Sequence, residues 1–122
     1  MLEELGWRGC GVQAALDAAR SPAWAAIVVG LIFVMLQVPL CLPGQLYDGL
    51  PVWPLPFILL SSSVLLTWIY LRTSSALLAG LMHAAFNATV PLTWGLDPAW
   101  VWQSRAIVLT ITATLLLLVA IK

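Results

Sequence analysis

The stretch SPAWAAIVVGLIFVMLQVPL, Ser21 to Leu40, decides the fold. Ser21 followed by Pro22 is a helix start: the serine hydroxyl caps free backbone N–H groups, and proline at the first helical position forfeits no needed hydrogen bond. From Ala23 to Leu40 the only polar side chain is Gln37. That length approaches the roughly 20 apolar residues a helix needs to cross about 30 Å of hydrocarbon. The run therefore predicts a membrane-spanning helix. The whole chain agrees, with 122 residues of which 62% are hydrophobic and 8% charged, and a mean hydropathy of +1.03. A water-soluble domain carries about 45–50% apolar and about 25% charged residues, and one this small leaves much of its surface uncovered. Lipid must cover the remainder.

Working outward, Met1 to Arg20 carries Glu3, Glu4, Arg8, Gln13, Asp17 and Arg20 among small and apolar residues, without proline. This predicts a helix packed inside a bundle. Cys41 to Pro56 is rich in proline and glycine and reads as a loop or re-entrant turn, with Tyr47 and Trp53 suited to the interface. Phe57 to Leu71 is a second span, slightly short unless it borrows residues from the proline-rich segment, and its Ser61-Ser62-Ser63 can bond across helices. After the tight connection Arg72-Thr73-Ser74, Ser75 to Trp94 is a third span, loosened at its far end by Pro91. Asp97-Pro98 repeats the start signal, Trp94, Trp100 and Trp102 suggest an aromatic belt, and Ala106 to Ile121 is the fourth span. Thr110, Thr112 and Thr114 can return hydrogen bonds to their own backbone. Short connections predict antiparallel neighbours: an all-α polytopic membrane bundle of about four transmembrane helices plus an N-terminal helix, with residues 1–122 as a single domain.

Five acidic and five basic residues cancel, so charge gives no pointer to nucleic acid; the partner to expect is the lipid bilayer. Cys10 and Cys41 have no CxxC spacing and suggest neither zinc nor a disulfide framework. The two glutamates near the start are unlike the basic opening of a cleavable signal peptide. If every helix crosses, Arg20, Arg72 and Lys122 share one side and Arg105, Asp48 and Asp97 the other, and the positive-inside rule places the first group in the cytoplasm.

Ionisable and amide groups inside apolar helices are functional candidates by default. Glu4 and Arg8 are four apart and can pair, leaving Glu3 free. Phe33 and Gln37 are four apart near the end of their helix, and His83 and Asn87 four apart in theirs, so each pair shares a face. Antiparallel order brings all three clusters to one membrane level. A carboxylate to activate water, with an imidazole and an amide as donors to an oxyanion, is what amide hydrolysis requires.

These residues resemble a known family. Glu3-Glu4-Leu5-Gly6-Trp7-Arg8 is similar to the EExxxR motif of the CPBP family, which includes membrane-embedded CAAX prenyl endopeptidases and bacteriocin-processing, Abi-like proteins. Gly30 to Leu40 resembles the second motif, FxxxH, and His83-Ala84-Ala85-Phe86-Asn87 the third, HxxxN. The resemblance implies a membrane-associated protein or peptide substrate, possessing in some cases a prenylated CAAX end from which three residues are cleaved. It implies Glu3 as the water-activating base, Glu4 and Arg8 as organisers, and His83 with Asn87 as oxyanion donors. It also implies a divalent metal such as zinc, held by Glu3 and His83, and multi-pass residence in a bacterial or archaeal cytoplasmic membrane.

Two departures stand out. Gln37 occupies the position of the second-motif histidine, and its amide neither accepts a proton at neutral pH nor ligates zinc well. Family members also carry helices upstream of the Glu pair, so the expectation is a truncated core. The alternative is thus a catalytically inactive relative that binds or escorts a membrane partner. A small transporter would need paired broken helices around a midplane site, and the proline-rich interruption here lies between spans. Structural readings stand beside these: acidic residues favour a helix start, His83 and Gln37 can bond between helices, Phe33 can be packing, and the tryptophans interface anchors.

Overall fold

The computed structural model describes residues 6–19, 21–93 and 95–120; the side chains of Arg8, Ala19, Val90, Pro91 and Ala120 are outside the description. A π-helical turn, Trp7–Gly11, leads into α1, Val12–Ala19. Then follow α2, Pro22–Gln37, continued by a 3-10 turn Val38–Cys41; α3, Pro54–Thr73; α4, Ala76–Leu92; and α5, Pro98–Ala120. No strand occurs among the described residues. The protein is a polytopic helical membrane bundle.

Both start signals operate as chemistry dictates. Ser21 is extended and its Oγ accepts from Trp24 N at 3.2 Å, while Asp97 Oδ1 accepts from Ala99 N at 2.9 Å. Among the described residues three helices are long and apolar enough to cross a bilayer: Pro22–Cys41, Pro54–Thr73 and Pro98–Val119. The second does borrow from the proline-rich segment, since Pro54 sits in the first turn, where a missing N–H costs nothing. The third begins at Pro98 rather than Ala106. α4 is shorter, with 17 residues, or about 26 Å at about 1.5 Å per residue. Three long spans and this shorter apolar helix make up the four apolar helices expected.

α3 is the central helix. Half of its apolar window is buried, against 22% for α2 and 17% for α5. Gly30 lets α2 approach it closely: a Cβ there would lie 3.0 Å from Leu60 Cδ2 and 3.1 Å from Ser63 Cβ. Ser63 Oγ donates to Ala26 O at 2.9 Å, and Ser61 Oγ donates to Thr110 Oγ1 at 3.2 Å, tying α3 to both neighbours. Thr112 and Thr114 instead return their hydroxyls to Val108 O and Thr110 O. Ile58, Val64, Leu65, Ala106, Leu109 and Ala113 fill the space between α3 and α5. Outward, Met35, Leu92 and Val119 are 76%, 83% and 73% exposed, an apolar surface suited to lipid.

The N-terminal helix corrects one expectation. It lies along the edge of α2 rather than inside the bundle, and Val12 is its only buried described residue. Its small side chains offer little surface to bury elsewhere. Val12 N–H reaches back five residues to Trp7 O, the closure that makes the preceding turn π-helical, a form often found at functional sites.

Residues 42–53 fold back over the end of the bundle. Gly44 and Gly49 take φ of +80° and +77°, a left-handed backbone that suits glycine. Gly44 N donates to Asp48 Oδ2 at 2.8 Å, Tyr47 N to Leu40 O at 2.9 Å, and Trp102 Nε1 to Pro51 O at 3.1 Å.

Candidate active site

Beneath that loop lies a cavity of about 650 Å³, within the range of about 300–1,000 Å³ usual for ligand sites. Each wall contributes residues for a local reason. Phe33 and Gln37 sit one turn apart at the loop end of α2; His83 and Asn87 sit one turn apart on α4; Ser62 comes from α3, Tyr47 from the loop, and Trp102 and Arg105 from the first turns of α5. The structure therefore brings Gln37, His83 and Asn87 to one space, as antiparallel order requires. Glu3 and Glu4 lie outside the described residues, as does the Arg8 side chain, so their placement and the Glu4–Arg8 pair have no description here.

The first motif's helix is nevertheless anchored at this wall. Trp7 packs edge-on against Phe33 with ring centroids 4.9 Å apart, and Phe33 packs edge-on against His83 at 6.4 Å. Phe33 is thus the link between the N-terminal helix and the imidazole, more than simple filler. Gln37 Oε1 is buried without a hydrogen-bond partner among the described residues, as is Thr67 Oγ1 on α3, a state that costs about 1–3 kcal/mol.

Three lining residues escaped the sequence reading. Trp102 was assigned to an aromatic belt but is half-buried, packed against Tyr47 with ring centroids 5.0 Å apart and planes tilted by 42°, and bonded to Pro51, while Trp100 remains 60% exposed. An indole with an internal acceptor gains more by facing in. Tyr47 likewise faces the cavity rather than only the interface. Burial pushes its phenol above the ordinary value, Cys41 adds to this, and Arg105 opposes it. Tyr47 is therefore a neutral hydroxyl at physiological pH. Arg105, counted above as a flanking charge, sits within the α5 span, half-buried in the cavity wall, and its Nη2 donates to Phe86 O. Starting the fourth span at Ala106 hid it; a lone cation seven residues past Pro98 was the available signal.

For the metal, the described lining offers one imidazole, His83, and no carboxylate, and no three of His, Cys, Asp and Glu converge among the described residues. These residues alone do not fit a zinc centre. What they can do is donate: imidazole, amide and phenol around a substrate carbonyl.

A family model described as type II CAAX prenyl endopeptidase Rce1-like matches residues 1–89. The match takes in every motif position from Glu3 to Asn87 and ends before α5. No curated protein and no solved structure matches the chain.

Proposed function

Because the chain belongs to the Rce1-like family of type II CAAX prenyl endopeptidases, we propose that it is an intramembrane endopeptidase acting on a membrane-associated, prenylated CAAX-type substrate. The observation that carries this reading is the convergence of Gln37, His83 and Asn87 on one cavity capped by a folded loop. Glu3 takes a proton from water, whose oxygen attacks the scissile carbonyl carbon. His83 and Asn87 donate to the oxyanion, stabilising charge where it develops. Collapse breaks the C–N bond, and the proton held by Glu3 passes to the departing amine. Trp7 and Phe33 position the N-terminal helix and the imidazole against one another.

Gln37 supports a second reading, an inactive relative that binds the same substrate, because an amide cannot take the proton that the family's histidine would. The buried Oε1 would then accept from a bound peptide N–H. The test is cleavage of prenylated and unprenylated CAAX peptides by the purified protein in lipid, with Glu3→Ala and Gln37→His, with and without chelator. Peptidase function predicts activity lost in Glu3→Ala; chelator sensitivity would assign a metal. Cleavage by Gln37→His alone would establish the degenerate enzyme, and silence from all folded proteins would overturn the reading.

A further inference from the structure

Arg105 is a guanidinium inside an apolar span, at a place the family model does not cover. A cation there is costly and needs an anionic or strongly polar companion. Among the described residues it has the Phe86 carbonyl and the nearby Tyr47 phenol, and no carboxylate. Arginine carries five N–H donors in a planar fork matched to a carboxylate, and the Phe86 bond uses one nitrogen. Phe86 lies between His83 and Asn87 on α4, so the guanidinium is tied to the turn that supplies the oxyanion donors. Arg105 lines a cavity with room for a short peptide.

From this geometry we infer that Arg105, assisted by the Tyr47 hydroxyl, seats the C-terminal carboxylate of the substrate peptide. This rests on the peptidase reading for its substrate. The seat makes cleavage specific for free chain ends: a carboxylate near His83 and Asn87 fixes how far from its terminus the peptide presents a carbonyl. The substrate carboxylate supplies the counterion that Arg105 lacks among the described residues.

The experiment compares a prenylated CAAX peptide with its C-terminal amide, using wild-type protein in phosphatidylcholine nanodiscs, read both as binding and as cleavage. The free acid binds more tightly by roughly tenfold or more, the ratio expected for one charge-assisted contact. Arg105→Gln abolishes that ratio by weakening the acid alone, and Arg105→Lys restores part of it. Equal binding of acid and amide to wild-type protein overturns the inference, as does a ratio unchanged in folded Arg105→Gln; the wild-type comparison stands even if the variant fails to fold. Loss of acid preference in discs containing phosphatidylglycerol would give the seat to lipid headgroups and also overturn it. Acid preference in binding with no cleavage upholds the seat while removing the peptidase reading. Cleavage without acid preference does the reverse.

Discussion

Gly30→Ala places a methyl group where α2 lies close against α3. The new Cβ would lie 3.0 Å from Leu60 Cδ2, 3.1 Å from Ser63 Cβ and 3.3 Å from Leu60 Cα. Rotation of Leu60 relieves the first distance. The other two belong to the frame of α3, so α2 and α3 must separate by a few tenths of an ångström. That loosens the neighbouring Ser63–Ala26 hydrogen bond, 2.9 Å long and buried. Overpacking of this kind costs about 1–3 kcal/mol, and alanine's better helix propensity returns at most about 1 kcal/mol. The net expectation is a loss of about 1–2 kcal/mol. Gly30→Leu should prevent native packing. Because Gln37 lies two turns further along α2, the same separation displaces a cavity wall, so cleavage should fall with stability. Reversible unfolding in mixed micelles, followed by tryptophan fluorescence, measures the first effect. A Gly30→Ala protein as stable as the parent, or more stable, would refute the close approach of these helices.

Gln37→Met should leave stability unchanged or raise it by up to about 1 kcal/mol, since it removes an unpartnered buried oxygen; the same unfolding assay reads this, and a clear loss would reveal a partner for Gln37. Asn87→Ala should lower kcat by about 10²–10³ through loss of an oxyanion donor, with KM little changed; an unaltered kcat would remove Asn87 from the chemistry. The raised phenol of Tyr47 sets a pH dependence. The unfolded chain releases this proton first, so stability is full below about pH 10 and declines above it. Tyr47→Phe should flatten that decline in urea midpoints measured across the alkaline range, and an identical slope would contradict the burial of Tyr47.

Much of the fold was legible because membrane helices announce themselves by length and punctuation. Ser21-Pro22 and Asp97-Pro98 both open helices through short-range bonds, and short-range bonds are readable from neighbouring letters. The cavity trio was legible for a related reason: four-residue spacing fixes a face, and antiparallel order fixes a level. Tyr47, Trp102 and Arg105 were not, because their positions depend on contacts such as Trp102 with Pro51, 51 residues apart. A tryptophan near a helix start has the same sequence signature whether it faces lipid or a cavity. The edge position of the N-terminal helix was hidden similarly: its polar residues suggested shelter, whereas its alanines and glycines give it little to bury. The π-helical turn at Trp7–Gly11 follows no periodicity that a motif reading would notice.

The central claim is that the Glu pair shares the cavity of Gln37, His83 and Asn87. Cross-linking tests it most directly, with Glu3→Cys and His83→Cys introduced into a Cys10→Ala, Cys41→Ser protein in lipid and treated with a short bismethanethiosulfonate. Trp7→Cys with Phe33→Cys serves as the control for a contact already described. The account predicts an intramolecular cross-link for both pairs. A control that cross-links while the Glu3–His83 pair does not would place the carboxylate away from the oxyanion donors and contradict it.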